Sequence, residues 1–233
     1  MALAFELSHI GRMGVCPPTY AIILAAGAGA RFGAGLPKQF VELCGRPLLA
    51  HSLQVFEDSP SVTGIALVIS AEYRARALRE IVEAYEFKKI TSVVEGGATR
   101  AESTANGLNA TGAEAELIAI HDGARPTVAA ADIARVIEAA ARDGAALLAS
   151  PVSDTLKRVA CGRVVETVDR GGLFAAETPQ VFASDLIRRA HQSGSRSVTD
   201  DSQAVEALGV SVTVIESSGA NIKITRPEDV TLA

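Results

Sequence analysis

Arg31 and Lys38 draw attention because of what lies around them. The run Ala25-Ala26-Gly27-Ala28-Gly29-Ala30-Arg31 is almost bare of side chains, and Pro37-Lys38-Gln39 follows it. Small residues let a backbone approach a ligand closely, and consecutive free N–H groups form a concave anion site. Fixed Arg and Lys charges add what a polyphosphate needs. The stretch Ala21 to Gln39 therefore reads as a triphosphate cradle. Ala25, Ala26, Gly27 and Gly29 supply its backbone, and Arg31 and Lys38 its cations. Cations aimed at a phosphorus under in-line attack stabilise the charge that builds on its equatorial oxygens. Such chemistry needs no covalent protein intermediate, and the chain has no G-x-S-x-G nucleophile motif.

Two better-known phosphate loops do not fit. The G-x-x-x-x-G-K-[ST] loop is absent, and the dinucleotide fingerprint fails because Phe32 stands where its third Gly belongs. That fingerprint also expects an acidic residue closing a second strand about 20 residues on, where this chain reads as a helix. What remains, A-A-G-x-G-x-R followed by P-K, resembles a nucleotidyltransferase signature. A Gly/Ala-rich strand-to-helix turn without ligand is the plain alternative, but it does not explain Arg31 and Lys38 together.

Further candidates follow the later strands. His121-Asp122-Gly123-Ala124-Arg125-Pro126 comes directly after an apolar run. A strand-end carboxylate beside Gly suits a ribose hydroxyl or a Mg²⁺ held on phosphates, so Asp122 is a candidate for both; its alternative is a loop cap. Arg125 is a candidate for a phosphate or for the acceptor, whereas His121 reads as a packed structural residue. Gly96-Gly97-Ala98-Thr99-Arg100-Ala101-Glu102-Ser103 is a Gly turn entering a helix. Gly97 and Ser103 there suit a base edge, or the turn is a plain cap. Asp154, Thr155, Lys157, Arg170 and Lys223 read singly as surface groups that recur near the same sheet edge.

The elements that must hold these residues alternate. Tyr20–Leu24, Ile65–Ser70, Ile90–Val94, Leu117–His121 and Ala145–Ser150 read as strands. Helical spacing falls over Pro47–Phe56, Ala71–Tyr85, Arg100–Asn109 and Asp132–Arg142. This predicts a mainly parallel sheet with helices on both faces, whose ligands sit beyond the carboxyl ends of the strands. Residues 151–176 break the rhythm with two β-like runs, Thr155–Val159 and Arg163–Val168, around Ala160-Cys161-Gly162. We read an inserted hairpin arm for dimerisation, the alternative being a hairpin folded on its own domain. Thr178-Pro179-Gln180 follows, then helices over Ser184–Gln192 and from the Thr199-Asp200-Asp201 cap to Leu208. Val210–Ile215 and Asn221–Thr225 read as strands, and Pro227 opens a final helical turn.

Composition narrows the class. The 233 residues are 48% hydrophobic but only 4% aromatic, so Ala, Val, Leu and Ile must build the core. A net charge of -5 argues against a nucleic-acid partner. No run of 18 apolar residues occurs, so no membrane span is expected. Cys16, Cys44 and Cys161 are scattered, without disulfide or metal spacing, which suits the cytoplasm. Residues 1–19 read as a flexible leader ending near Pro17-Pro18, and 20–233 as a single domain.

Taken in order, A-A-G-A-G-A-R, P-K-Q, G-G-A-T-R-A-E-S, H-D-G-A-R-P, P-V-S-D-T-L-K, T-V-D-R-G-G-L, T-P-Q and N-I-K-I-T-R-P-E-D resemble the 2-C-methyl-D-erythritol 4-phosphate cytidylyltransferase family. The resemblance runs from Ala21 to Asp229. It implies a Rossmann-like α/β three-layer sandwich, with a mainly parallel mixed sheet and a dimerisation arm. It implies that CTP and methylerythritol phosphate yield CDP-methylerythritol and pyrophosphate with Mg²⁺, on the non-mevalonate isoprenoid route. Arg31 and Lys38 match the family's transition-state pair, and Arg170 and Lys223 the residues that position the acceptor phosphate. Asp122, Arg125, Thr155 and Thr178 match other substrate contacts, with Thr155 lent across a homodimer. Gly97 and Ser103 match cytosine contacts. Ala98, Gly123 and Ala220 depart from common family residues and leave a second metal contact unassigned. A cytidylyltransferase for another polyol phosphate, such as ribitol 5-phosphate, is the nearest alternative; a silent CTP sensor belongs to a different class.

Overall fold

The computed structural model describes residues 16–27, 37–193 and 200–233. Arg31 and Gly29 lie outside the described residues, as do residues 1–15.

Alternation is the principle of the architecture. The elements run β1 (Thr19–Leu24), a short pair β2 (Glu42–Leu43) and β3 (Arg46–Pro47), α1 (Leu48–Asp58), β4 (Gly64–Ile69), α2 (Ala71–Ala77), β5 (Ile90–Glu95), α3 (Arg100–Ala110), β6 (Leu117–Asp122) and α4 (Ala130–Asp143). Then follow β7 (Ala145–Pro151), β8 (Leu156–Ala160), β9 (Arg163–Val168), β10 (Phe174–Ala183), α5 (Ser184–Gln192), α6 (Asp201–Glu206) and β11 (Thr213–Glu216). Seven strands form one sheet in the order β11-β7-β10-β6-β1-β4-β5. β1 lies parallel to β4 and β6, β4 to β5, and β11 to β7, while β10 runs antiparallel between β6 and β7.

The period of two in a strand sends neighbouring side chains to opposite faces. In β1, Ala21 and Ile23 join Leu49, Leu53 and Phe56 of α1 and Ile133, Val136 and Ile137 of α4. Tyr20 and Ile22 join Leu108 of α3, Leu186 and Ile187 of α5, and Val205 of α6 on the other side. Both faces are thus covered, and β4 and β6 are buried along their whole length. The expected three-layer α/β sandwich is what forms. Gly107 lets α3 lie directly on the sheet: a Cβ there would stand 2.4 Å from Ile22 Cγ2.

Three segments differ from the reading above. The helix from Ala71 passes after Ala77 into a π-helical stretch, Leu78–Glu83. Asn221–Thr225 forms no strand; Ile224 N–H donates to Ala124 O at 2.8 Å, and Ile222 and Ile224 pack with Leu48. Residues 174–183, given no strand above, form the ten-residue β10. Its register against β7 shifts between Ala176 and Gln180, a bulge that holds Glu177, Thr178 and Pro179.

The inserted hairpin is present: β8 and β9 form a separate antiparallel pair. Val159, Val164 and Val165 on it are each more than half exposed. Among the described residues, no helix is long and apolar enough to cross a membrane.

Candidate active site

The carboxyl ends of β1, β5 and β6 open on one cavity of about 590 Å³. β1 delivers Ala25, Ala26 and Gly27 to its wall; Ala25 N–H donates to Val68 O at 2.7 Å and so extends the sheet into the loop. Gly96 N–H donates to Ile69 O at 3.0 Å, which carries the next turn alongside. That turn presses on the first: a Cβ on Gly96 would stand 2.1 Å from Ala26 Cβ. A bare residue is required there.

Thr99 starts α3 with a reciprocal cap. Its hydroxyl accepts Glu102 N–H at 3.1 Å, while the Glu102 carboxylate accepts Thr99 N–H at 3.3 Å and Ala98 N–H at 2.7 Å. The cap places Arg100 and Ser103 on the cavity. Ser103 Oγ accepts Gly97 N–H at 3.1 Å and donates to Thr99 O at 2.9 Å. These two candidates for a base edge are therefore tied to each other.

Asp122 ends β6 and lies at the electrostatic centre. Lys223 Nζ is 2.6 Å from its Oδ2, Arg100 Nε 3.4 Å from its Oδ1, and Arg125 Nε 4.0 Å from its Oδ2. Burial pushes its pKa up, but Arg100 and Lys223 outweigh that and hold the carboxyl well below the ordinary carboxylate range. Asp122 is anionic at neutral pH. Arg100 also donates through Nη1 to the buried Asp201 Oδ2 at 2.6 Å, and Lys38 Nζ lies 3.4 Å from Ile224 O. Among the described residues that line the cavity, the cations are Lys38, Arg100 and Lys223 and the single carboxylate is that of Asp122. The excess is positive, and low-dielectric walls focus it on an anionic ligand.

Behind the cavity, Arg125 Nη1 donates to Asn221 O at 2.6 Å, and its buried Nε has no hydrogen-bond partner among the described residues. Asn221 Nδ2 donates to Thr178 O at 2.8 Å and to Glu177 Oε2 at 2.9 Å. Thr178 Oγ1 accepts Asp122 N–H at 3.0 Å. The β10 bulge thus sets Thr178 against the end of β6.

Of the residues singled out in the sequence, Ala25, Ala26, Gly27, Lys38, Gly97, Ser103, Asp122 and Lys223 line the cavity together. Arg125 and Thr178 stand behind Asp122 rather than on the lining. Thr155 and Arg170 are exposed at the arm's base, outside that lining; Arg170 donates to Ser153 O across the base. Sequence reasoning left out Arg100, whose signal was its place at the first turn of the capped helix. It also left out Gln39 and Thr225, which line the same wall.

Comparison with known proteins agrees in extent and in kind. Residues 19–233 match the family described as 2-C-methyl-D-erythritol 4-phosphate cytidylyltransferase. The protein of that name from Desulforamulus reducens is 45% identical over 217 residues, covering 91% of this chain and 93% of the relative. Its namesake from Syntrophotalea carbinolica is 42% identical, covering 92% and 94%. The crystal structure of 4-diphosphocytidyl-2C-methyl-D-erythritol synthase from Anaerococcus prevotii superposes with a TM-score of 0.80 at 31% identity, over 92% of this chain and 93% of that one. The Thermus thermophilus cytidylyltransferase structure gives 0.73 at 34% identity, over 91% and 95%.

Proposed function

We infer the reaction from one premise: the chain belongs to the 2-C-methyl-D-erythritol 4-phosphate cytidylyltransferase family. It is a nucleotidyltransferase of isoprenoid precursor synthesis. It moves CMP from CTP to 2-C-methyl-D-erythritol 4-phosphate, giving CDP-methylerythritol and pyrophosphate. The observation that carries this reading is the cavity itself, where a bare backbone loop, three cations and one carboxylate meet at the carboxyl edge of the sheet.

The acceptor's phosphate oxygen is the nucleophile. It is anionic near neutral pH, so no protein base is needed. Lys38, with Arg31 from the same loop, stabilises the charge growing on the α-phosphate. Lys223 and Arg125 position the acceptor, with Arg170 and Thr155 supplied by the arm of a second copy. Gly97 and Ser103 would contact cytosine, and Ala25, Ala26 and Gly27 the phosphates, a role the sequence also gives Gly29. The exposed valines of the arm support a homodimer in which each arm covers its partner's cavity mouth. Net charge and the scattered cysteines support a cytoplasmic enzyme that does not engage nucleic acid.

Among the described residues no three His, Cys, Asp or Glu side chains cluster for a metal. One carboxylate plus substrate phosphates is nevertheless the usual setting for Mg²⁺, so the donor set fits with Asp122 as the protein ligand. Bound there, Mg²⁺ would supply charge neutralisation of the triphosphate. Pyrophosphate release from CTP, measured with methylerythritol phosphate and ribitol 5-phosphate separately, tests the reading. Turnover with methylerythritol phosphate is expected. Turnover with ribitol 5-phosphate alone refutes the substrate, and CTP binding without turnover refutes the enzyme.

A further inference from the structure

We propose that His121, a residue that touches neither the cavity nor solvent, is a positioning residue for the transfer: a neutral imidazole clamps both ends of the turn that carries Asp122 and Arg125. The proposal rests on the family reading above for the reaction it serves.

The turn is closed on itself, with Arg125 N–H donating to Asp122 O at 2.9 Å. Its two chemistry-bearing residues are its first and last. The ring of His121 reaches both ends. Nε2 is 3.1 Å from Arg125 O, and Nδ1 is 3.1 Å from Thr178 Oγ1. Thr178 Oγ1 in turn accepts Asp122 N–H at 3.0 Å. Bond directions fix where the protons lie. A backbone carbonyl only accepts, so Nε2 carries the ring hydrogen. A neutral imidazole has one ring hydrogen, so Nδ1 is bare and accepts the Thr178 hydroxyl, whose oxygen accepts Asp122 N–H. The relay runs in one direction, from Asp122 N–H through Thr178 and His121 to Arg125 O.

The surroundings leave the ring no other use. His121 is fully buried, and Phe56 packs on it with ring centroids 4.9 Å apart. Ser52 Oγ of α1 holds the same turn from outside, donating to Gly123 O at 3.0 Å. The ring therefore acts through Asp122 and Arg125, not on a substrate. A turn released at one end re-aims Arg125 and Asp122 together, and misplacement by about 1 Å is enough to cost roughly 100-fold in rate.

The test uses the full chain and three variants. His121→Asn keeps a short acceptor toward Thr178 and loses the reach to Arg125. Thr178→Val removes the hydroxyl and keeps the shape; the double variant completes a cycle. Each single variant is expected to lower kcat/KM for methylerythritol phosphate roughly 10- to 100-fold, more than it changes KM for CTP. The double variant should lose little more than the worse single one, because both break one relay. ¹⁵N NMR of the wild-type imidazole should show a protonated Nε2 and a bare Nδ1, which also decides the matter should a variant not fold. Wild-type kinetics in folded His121→Asn, additive losses in the cycle, or an Nδ1–H tautomer overturn the proposal alone. A wild type inactive with every acceptor overturns the family reading and takes the proposal with it.

Discussion

Acid should destabilise this fold through His121 before it reaches Asp122. Burial, aided by the nearby Arg125 charge, pushes the His121 pKa from an ordinary 6.5 down to about 4, against the favourable pull of Asp122. The folded state thus keeps the ring neutral while the unfolded chain protonates it. Between those two values the unfolded chain binds more protons, so stability falls as pH falls. The gap between them, at 1.36 kcal/mol per pH unit, is worth about 3 kcal/mol once pH has dropped through the whole window. A domain of this kind holds only about 5–15 kcal/mol in total, so the loss is large. Asp122 contributes in a lower window. Its folded pKa lies below the ordinary value, so its stabilisation is present above that value and is lost only on further acidification. The assay is urea unfolding in metal-free buffer from about pH 7.5 to about pH 4.5, comparing wild type with His121→Gln. The wild type should lose most of those 3 kcal/mol across the range. His121→Gln should be less stable at neutral pH and show a shallower fall. Equal slopes for the two proteins would refute the argument, whatever their absolute stabilities.

Four other outcomes follow from the site. Lys38→Ala should lower kcat roughly 100- to 1,000-fold with a smaller change in CTP affinity, and Arg31→Ala should behave alike; steady-state pyrophosphate release separates kcat from KM. Lys223→Ala removes the 2.6 Å partner of Asp122 and should mainly raise the KM for methylerythritol phosphate, so an unchanged value removes Lys223 from acceptor binding. Gly96→Ala drives a methyl against Ala26 and should weaken CTP binding about 10- to 100-fold by calorimetry, the equivalent of 1–3 kcal/mol of overpacking. Val164→Asp with Val165→Asp places charge on the exposed arm and should shift a dimer to monomer in analytical ultracentrifugation, while the urea midpoint of the monomer stays near that of the wild type.

The layered architecture was readable because parallel strands buried on both faces are short continuous apolar runs, and Tyr20–Leu24, Ile65–Ile69 and Leu117–Ile120 are that. That Ala25, Ala26, Gly27 and Lys38 would meet at one sheet edge was readable because a bare stretch directly follows an apolar strand run. β10 was not. It carries Glu177, Thr178, Pro179 and Gln180 in its middle, and a proline in such a run argues against a central strand. The bulge between Ala176 and Gln180 resolves the conflict, since Pro179 sits where the ladder is interrupted. Asn221–Thr225 failed in the opposite sense. Its alternation is real, with Ile222 and Ile224 facing Leu48, but the partner is a turn rather than a strand. Arg100 was overlooked because helix-start arginines are mostly solvated. Only the fold brings Asp122 and Asp201, distant in sequence, to either side of it.

The course of β10 has a mechanical consequence. Its Phe174 end receives the chain returning from the hairpin, and four residues later the same rod bears the hydroxyl that holds the floor of the cavity. Between the hairpin and that rod lies one closed turn, in which Leu173 N–H donates to Arg170 O at 3.0 Å and Val152 N–H to Leu173 O at 3.1 Å. A molecule bound to the hairpin is therefore coupled to that floor through this turn and roughly 13 Å of strand from Phe174 to Thr178.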